Sequence, residues 1–348
     1  MRGHKLPLIA VTLGDVAGIG PETIVRAALS PQIANTCRML AVGSPVVLRR
    51  AVELVGQPVG ILELPGPEQA DRIIDIGPEH TLLCWNPAGH AADEVPAGCV
   101  DARAGRAAYE ALIAATRAAL EEKVDAITTA PLNKKALALA GYDFPGHTEI
   151  LAEECGVREY AMMLYLPPDG KAGGRYGLGV AHATLHTSIR SVPSLLTTQR
   201  VAETIELIDR FMKRVGCLEP KIGVCALNPH AGEAGLFGDE EATIIDPAVD
   251  RINERGINAT GPLPADTLLK RAAAGEFDGV AAMYHDQGHI ALKLIAFDRA
   301  VNVTLGLPIV RTSPSHGTAF DIAWRGRASA SGMIAALQVA ATLARTTS

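Results

Sequence analysis

Cysteine is scarce in this sequence and follows no pattern. Six cysteines are scattered over 348 residues and no CxxC pair occurs. This argues against a disulfide framework and against cysteine-based zinc or redox motifs. We expect reduced, mostly buried thiols that behave as small apolar side chains.

Basic charge and long apolar runs are lacking as well. The formal net charge is -6, so the chain has no basic excess of the kind that nucleic-acid-binding proteins carry. No apolar run is long enough to cross a bilayer. The first apolar run, "LIAVTL", leads into a glycine-rich turn, which is typical of a β-strand and not of a signal peptide. We expect a cytoplasmic protein with neither a nucleic-acid nor a membrane partner.

What the chain does contain is an alternation of apolar, strand-length runs with alanine-rich helical stretches. Examples of the runs are "LIAVTL", "RMLAVG", "VDAITTA", "GLGVAHAT", "KIGVCALN" and "GVAAMYH". Continuous apolar strands between helices predict an α/β fold with a parallel-rich sheet covered on both faces. The chain is long enough for two such domains. The Pro- and Gly-rich "LPPDGKAGGRYG" predicts an exposed hairpin loop.

Polar clusters follow five of these predicted strands. They are "GDVAGIGPE", "APLNKK", "HATLH", "NPHAGE" and "HDQGH". In parallel α/β folds, ligands bind just past the carboxyl ends of strands. The five clusters therefore mark the predicted functional edge.

The first cluster is glycine-rich but lacks the Rossmann fingerprint. Gly14, Gly18 and Gly20 do not follow the G-x-G-x-x-G order. One interpretation is a structural turn, with Pro21 at the first helical position and Glu22 complementing the helix dipole. The other is direct contact with an anionic ligand at the helix N-terminus. The sequence leaves both open.

Three histidines, His186, His230 and His285, each follow a predicted strand. A single histidine in an apolar context is more often a satisfied core residue than a ligand. Three at equivalent strand ends, however, suit a divalent metal such as zinc. Such an ion would polarise a substrate hydroxyl or carbonyl oxygen. By their position near the histidines, Asp266 and Asp286 are candidates for the general base.

Two further groups suggest an anion pocket. Lys293, Asn302 and Arg311 fall close together in the sequence and suit a carboxylate or phosphate, although single charged residues are usually just solvated. In "GHTE", His147 and Thr148 would point toward the same anion. Alternatively, Thr148 is a helix N-cap.

The segment "YHDQGH" holds two histidines four residues apart. On an uninterrupted helix, His285 and His289 would share one face, as in HExxH sites. Because Gly288 lies between them, we expect His285 at a strand-to-loop junction. His289 would then lie past the turn, on the element that carries Lys293. On this basis His285→Ala loses the metal and nearly all activity, whereas His289→Ala keeps its metal.

Taken in order, these motifs resemble a known family over nearly the whole chain. "GDVAGIGPE", "PGHTE", "LNPHAGE", "GPLPADT", "AMYHDQG", "NVTLGLPIVRTS" and "HGTAFDIA" are similar to the 4-hydroxythreonine-4-phosphate dehydrogenase family. "HGTAFDIAWRGRA" is also similar to the cofactor loop of the isocitrate and isopropylmalate dehydrogenases, which bind NAD without a Rossmann fingerprint. The resemblance implies two α/β/α domains with a central cleft and a homodimer with shared active sites. The first domain would be 1–133 completed by 295–348, and the second, with the metal ligands and the dimer interface, 134–294.

The resemblance also implies roles for individual residues. It assigns a divalent metal, with zinc preferred over cobalt or magnesium, to His186, His230 and His285, and in "YHDQGH" to the first histidine alone. It assigns the substrate to His147, Thr148, Lys293, Asn302 and Arg311, with Lys293 also counted as catalytic. It assigns part of NAD to the loop residues His316, Gly317, Thr318, Ala319 and Asp321.

Within the family, "TAPLNKKAL", "GLFGDEE" and "YHDQGHI" look more like the catabolic branch, which oxidises 4-phospho-D-threonate or 4-phospho-D-erythronate. The implied product of the former is dihydroxyacetone phosphate. The alternatives are the vitamin B6 branch and a metal-dependent hydrolase or lyase without NAD. Two residues depart from the family pattern. Val16 replaces a usual proline, and Ser315 replaces a usual aspartate, which bears on cofactor binding.

Overall fold

The computed structural model describes residues 6–72 and 81–346. The chain divides into two compact units, one made of Met1–Gly156 and Leu307–Ser348 and the other of Val157–Gly306. The first unit is therefore discontinuous along the chain. Both boundaries fall later in the chain than 133/134 and 294/295.

The strands are β1 (Leu8–Thr12), β2 (Arg38–Val42), β3 (Gly60–Leu64), β4 (Thr81–Trp85), β5 (Ala126–Thr129), β6 (Ala161–Leu166), β7 (Leu178–His182), β8 (Ile222–Cys225), β9 (Ala259–Leu263), β10 (Gly279–Ala282), β11 (Val301–Leu305) and β12 (Arg311–Pro314). The α-helices are α1 (Gly20–Ala28), α2 (Pro31–Ala34), α3 (Pro45–Val55), α4 (Ala102–Leu120), α5 (Lys134–Leu139), α6 (His147–Glu154), α7 (Val192–Leu195), α8 (Thr198–Arg214), α9 (Asp246–Glu254), α10 (Ala265–Ala273), α11 (His285–Ala296) and α12 (Ser331–Arg345). Short 3-10 turns at Pro67–Arg72, Ile189–Ser191 and Pro229–Gly235 and a π-helical turn at Glu241–Ile245 complete the described elements. All six apolar runs predicted to be strands form strands.

The first unit has a parallel sheet in the order β3-β4-β2-β1-β5-β12. Its core joins β1 and β5 to α4, α5 and α6 through Leu112, Ile127, Leu137 and Leu151. Helices α4 and α5 approach so closely that a Cβ on Gly105 would lie 2.1 Å from the Ala136 carbonyl oxygen. Because α6 shares this core, the first unit extends to Gly156.

The second unit has the strand order β11-β6-β7-β10-β8-β9. Strand β6 runs antiparallel to both β7 and β11, and the remaining pairs are parallel. The expected hairpin loop connects β6 to β7. Because β11 pairs with β6, residues 301–305 belong to this unit and not, as expected, to the first.

Helices cover both faces of this second sheet. A Cβ on Gly279 would meet Ile208 of α8, whereas the next residue, Val280, packs with Leu268 of α10 and Leu292 of α11. Successive residues of a strand face opposite sides of its sheet. Helix α8 therefore lies on one face, and α10 and α11 lie on the other. No helix of the described residues is long and apolar enough to span a bilayer.

Candidate active site

The second unit gathers four histidines at one edge of its sheet. His182 ends β7, His186 follows four residues later, and His285 opens α11 shortly after β10. Strands β7 and β10 are parallel, with His182 paired to Ala282, so their carboxyl ends meet. The ring centroids of His186 and His285 are 5.9 Å apart, and those of His182 and His289 are 4.7 Å apart.

Helix α11 runs without a break from His285 through Gly288, so the expected turn between the two histidines is wrong. Their rings share one face of the helix and stack, with centroids 3.8 Å apart and planes 13° apart. Gly288 has a different role from the one that we expected. A Cβ there would lie 2.6 Å from His182 Nε2 and 2.7 Å from Val180 Cγ1. Glycine makes room for α11 to pack against β7.

A hydrogen bond joins His182 to His289 in the buried part of this cluster. His182 Nδ1 lies 3.0 Å from the Met162 carbonyl oxygen, and His182 Nε2 lies 3.1 Å from His289 Nδ1. Burial lowers the pKa of His182 to about 4 and that of His289, aided by His182 and His285, to about 2. Both rings are therefore neutral near pH 7. His182 is the first histidine of "HATLH", and only the second, His186, was predicted to be functional.

His285 is held by the residue that follows it. Its Nδ1 lies 2.7 Å from Asp286 Oδ1, so the N–H donates to the carboxylate and Nε2 remains available to a ligand. The structure thus places Asp286, a candidate base, as the orienting partner of His285. Asp266 lies exposed at the start of α10, where its Oδ1 accepts the Thr267 N–H at 2.8 Å.

His230 stands on an unusual backbone segment. Residues 230–234 all have left-handed φ values, from 45° to 77°, which L-residues rarely adopt and which cluster at functional sites. The buried Glu241 carboxylate anchors the segment by accepting the N–H groups of Leu227 and Asn228 at 2.9 and 2.8 Å. His230 itself is exposed.

The three expected metal ligands do not converge within one chain. Across residues 6–72 and 81–346, no group of three or more His, Cys, Asp or Glu side chains is placed to hold a metal ion. The donors themselves suit a borderline divalent metal, since neutral imidazoles are its common ligands. His285, with Nδ1 occupied and Nε2 free, has the arrangement typical of a metal-binding histidine.

The first unit holds a buried cation with polar neighbours. Arg311, only 2% exposed, donates from Nη2 to Thr129 Oγ1 at 2.7 Å. Burial lowers its pKa to about 10, although Glu149 acts in the opposite direction. Burial and then Arg311 hold the pKa of His147 well below its usual value. The structure thus brings Arg311 close to neutral His147 at the start of α6.

Thr148 is buried in the first turn of α6, and the N-cap is Gly146. The alternative that Thr148 caps this helix is therefore wrong. The other two expected anion-binding residues lie in the second unit. Lys293 is one turn beyond His289 on α11 and lowers its pKa by charge repulsion. Asn302 on β11 directs Nδ2 at Met162 Sδ, 3.4 Å away.

The glycine-rich turn and the expected cofactor loop pack against each other in the first unit. Ile19 N–H donates to the Thr318 carbonyl oxygen at 3.1 Å, and a Cβ on Gly18 would lie 2.9 Å from that oxygen. Trp324 Nε1 donates to the Val16 carbonyl oxygen at 2.9 Å. The turn's structural interpretation is supported, because its backbone supports the loop.

The other residues of the expected cofactor loop make local contacts or are exposed. His316 Nδ1 donates to the Gly317 carbonyl oxygen at 3.1 Å, Ala319 has a left-handed φ of 45°, and Asp321 is exposed. Glu22 is 1% exposed and accepts the Ala328 N–H at 2.9 Å. It therefore ties α1 to the chain beyond the loop, a contact that its helix-dipole position did not predict.

The chain is an α/β protein of two units, with a histidine cluster at strand ends in one unit and a buried arginine in the other. These features are typical of enzymes that act on small anionic substrates. Comparison with known proteins identifies the family. Residues 35–340 match the profile described as "Pyridoxal phosphate biosynthetic protein PdxA", and the chain belongs to this family. It is an oxidoreductase of the dehydrogenase type, as the sequence analysis expected.

Its relatives carry two kinds of name. A 4-hydroxythreonine-4-phosphate dehydrogenase of Geobacter metallireducens is 44% identical over 340 residues, covering 97% of this chain and 96% of the relative. A D-threonate 4-phosphate dehydrogenase of Salmonella typhimurium is 43% identical over 338 residues, covering 97% and 98%. The crystal structure of 4-hydroxythreonine-4-phosphate dehydrogenase from Klebsiella pneumoniae is 42% identical, with a TM-score of 0.83 and coverage of 97% and 99%.

Proposed function

We propose that the protein oxidises the C3 hydroxyl of a four-carbon, 4-phosphorylated hydroxy acid with NAD, and that 4-phospho-D-threonate or 4-phospho-D-erythronate is the substrate. The hydride passes to NAD and the hydroxyl proton is released. The resulting β-keto acid loses its carboxyl group as carbon dioxide, and the enolate that remains takes up a proton at C2, which gives dihydroxyacetone phosphate from 4-phospho-D-threonate. The relatives' names support this chemistry, and the "GLFGDEE" and "YHDQGHI" motifs favour this substrate class.

The observation that carries the proposal is the buried guanidinium of Arg311 beside neutral His147. Glu149 already favours the charged form of this buried guanidinium, and a bound anion would stabilise it further. A planar guanidinium suits phosphate or carboxylate oxygens in particular. We assign Arg311, His147 and Thr148 to one anionic end of the substrate. Lys293 and Asn302 are assigned to further polar groups of the same molecule.

We assign His186, His230 and His285 to a divalent metal, with zinc preferred. When bound, such an ion acts as a Lewis acid that lowers the pKa of a substrate hydroxyl and stabilises the developing negative charge. Asp286 keeps the proton of His285 on Nδ1 and so directs Nε2 toward the ligand. The three histidines do not meet within one chain, and we therefore propose that a second copy completes the site.

The surface of α11 supports a homodimer. Ile290, Leu294 and Phe297 lie along one side of the helix and are 58%, 83% and 57% exposed. Apolar surface of this kind next to a site marks an interaction face.

Mixing two inactive variants tests directly whether the two subunits share the site. Because the rings of His186 and His285 lie 5.9 Å apart in one chain, His230 is the ligand that a partner would supply. Subunit exchange between inactive His230→Ala and His285→Ala dimers should restore partial activity, because one of the two sites in a mixed dimer then has all its ligands. No recovery on verified exchange would contradict a shared site.

The loop from His316 to Asp321, supported by the glycine-rich turn, is our proposed binding site for part of the dinucleotide. We also propose a cytoplasmic location, which the absence of a disulfide among the six cysteines supports.

A substrate panel followed by NADH absorbance tests the function. We expect turnover with 4-phospho-D-threonate or 4-phospho-D-erythronate. Faster turnover of 4-hydroxythreonine 4-phosphate, which has an amino group at C2, would favour the vitamin B6 reaction instead. Failure to bind any dinucleotide would favour a metal-dependent hydrolase or lyase.

A further inference from the structure

We propose that His289 and His182 form a positioning pair that fixes the ring of His285, so that its Nε2 keeps one direction toward the metal. This inference rests on the metal role proposed above for His285. Neither His182 nor His289 is assigned to the metal, the substrate or the cofactor.

The first step is the placement of protons in the pair. A carbonyl oxygen only accepts hydrogen bonds, so His182 donates from Nδ1 to Met162, 3.0 Å away. In a neutral ring the other nitrogen, Nε2, is then an acceptor. His289 must therefore donate from Nδ1 to His182 Nε2 across 3.1 Å. The β6–β7 pair thus favours the Nδ1–H tautomer of His289, whose ring is also hydrogen-bonded to the His285 backbone.

The second step is the contact between His289 and His285. The two rings stack at 3.8 Å with an angle of 13°, and the edge of His285 is held by Asp286 at 2.7 Å. One ring face and one ring edge of His285 are therefore constrained. Rotation of the imidazole would break a hydrogen bond or a stacking contact, so the direction of Nε2 is defined before any ion arrives.

The third step is the space that the pair requires. The rings of His182 and His289 are buried, with exposed fractions of 0% and 8%. Leucine side chains could fill the same space and would need no hydrogen-bond partners there. A Cβ on Gly288 would collide with His182 Nε2 at 2.6 Å. The chain accepts a helix-weakening glycine at the one position of α11 that lets His182 reach His289. A positioning role accounts for this arrangement.

Zinc affinity measured by competition with a chromogenic chelator tests the proposal, together with the visible spectrum of the Co²⁺-loaded protein. Outer partners of metal ligands typically affect metal affinity about 10- to 100-fold, and we expect His289→Leu to weaken zinc binding by that factor and to change the cobalt spectrum. His289→Asn keeps a donor toward His182, and His289→Phe keeps a ring over His285. Each should recover part of the lost affinity.

Leu292→Ala is the matched control, because Leu292 is buried on the same helix but touches no ligand in the proposal. It should lower the melting temperature and leave zinc affinity and the cobalt spectrum unchanged. If His289→Leu behaves like this control, the pair is merely structural and the inference is wrong. If His285→Ala binds zinc as tightly as the wild type, the proposed metal site itself fails, and the inference fails with it.

Discussion

Replacing Arg311 with methionine should remove the protein's response to phosphate-bearing ligands while the fold survives. Methionine has a similar length but no charge. Loss of one partner of a buried charged pair typically costs about 2–5 kcal/mol in binding. At about 1.4 kcal/mol per tenfold change, this predicts a rise in the substrate dissociation constant of roughly 30-fold to a few thousand-fold.

Burying the charge of Arg311 destabilises the protein when no ligand is bound. Burial lowers the pKa of Arg311 from 12.5 to about 10, which corresponds to roughly 3 kcal/mol of destabilisation of the charged form. The group is charged at neutral pH in both the folded and the unfolded chain, so this destabilisation is fully present there. An anion bound beside Arg311 would add to the effect of Glu149 and reduce this destabilisation. Inorganic phosphate or the substrate should therefore raise the melting temperature of the wild type.

Thermal shift with phosphate and steady-state kinetics check both magnitudes. Arg311→Met should show no phosphate-induced shift and a much higher KM for the substrate, with the KM for NAD nearly unchanged. Arg49→Met is the matched control, because Arg49 is an exposed arginine of the same unit, and it should respond like the wild type. A variant with normal substrate KM but poor NAD binding would show that Arg311 serves the other ligand.

Further predictions address the metal, the carboxyl at the glycine-rich turn and two glycines. Chelation should abolish turnover and Zn²⁺ or Co²⁺ should restore it, whereas full activity of verified metal-free protein would refute the metal role. Burial raises the pKa of Asp15 from 3.8 to about 6, so its contribution to stability is complete below pH 4 and is lost as the pH rises through 6. Asp15→Asn should therefore be more stable than the wild type by up to roughly 3 kcal/mol at pH 8 and equal to it near pH 3 in urea unfolding. Gly288→Ala should lower both zinc affinity and unfolding free energy, because overpacking against His182 costs about 1–3 kcal/mol and outweighs a helix-propensity gain of about 1 kcal/mol; an unchanged zinc affinity would contradict this. Gly18→Ala, whose Cβ would lie 2.9 Å from the Thr318 carbonyl oxygen, should raise the KM for NAD and not that for the substrate.

The local sequence pattern was sufficient to predict the fold class and the sheet edge at which the candidate site lies. Strands buried on both faces read as continuous apolar runs, and "LIAVT" of β1 is buried at all five positions. His182, His186 and His285 lie at or just beyond the ends of two such strands because parallel strands end together. The resemblance of the motifs then identified the family, which the match over residues 35–340 confirmed.

Only the tertiary structure decided how the histidines relate to one another and where the units divide. Position 288 in the intact helix is a glycine because the side chain of His182, 106 positions earlier on β7, occupies the space that a Cβ would need. Likewise, the tautomer of His289 depends on a carbonyl of β6, and Arg311 is oriented by Thr129 from another strand. β11 belongs to the second unit because it pairs with β6, and α6 belongs to the first because it packs on α4. Each of these features depends on contacts between residues far apart in the chain, and periodicity and propensity describe only neighbours along it.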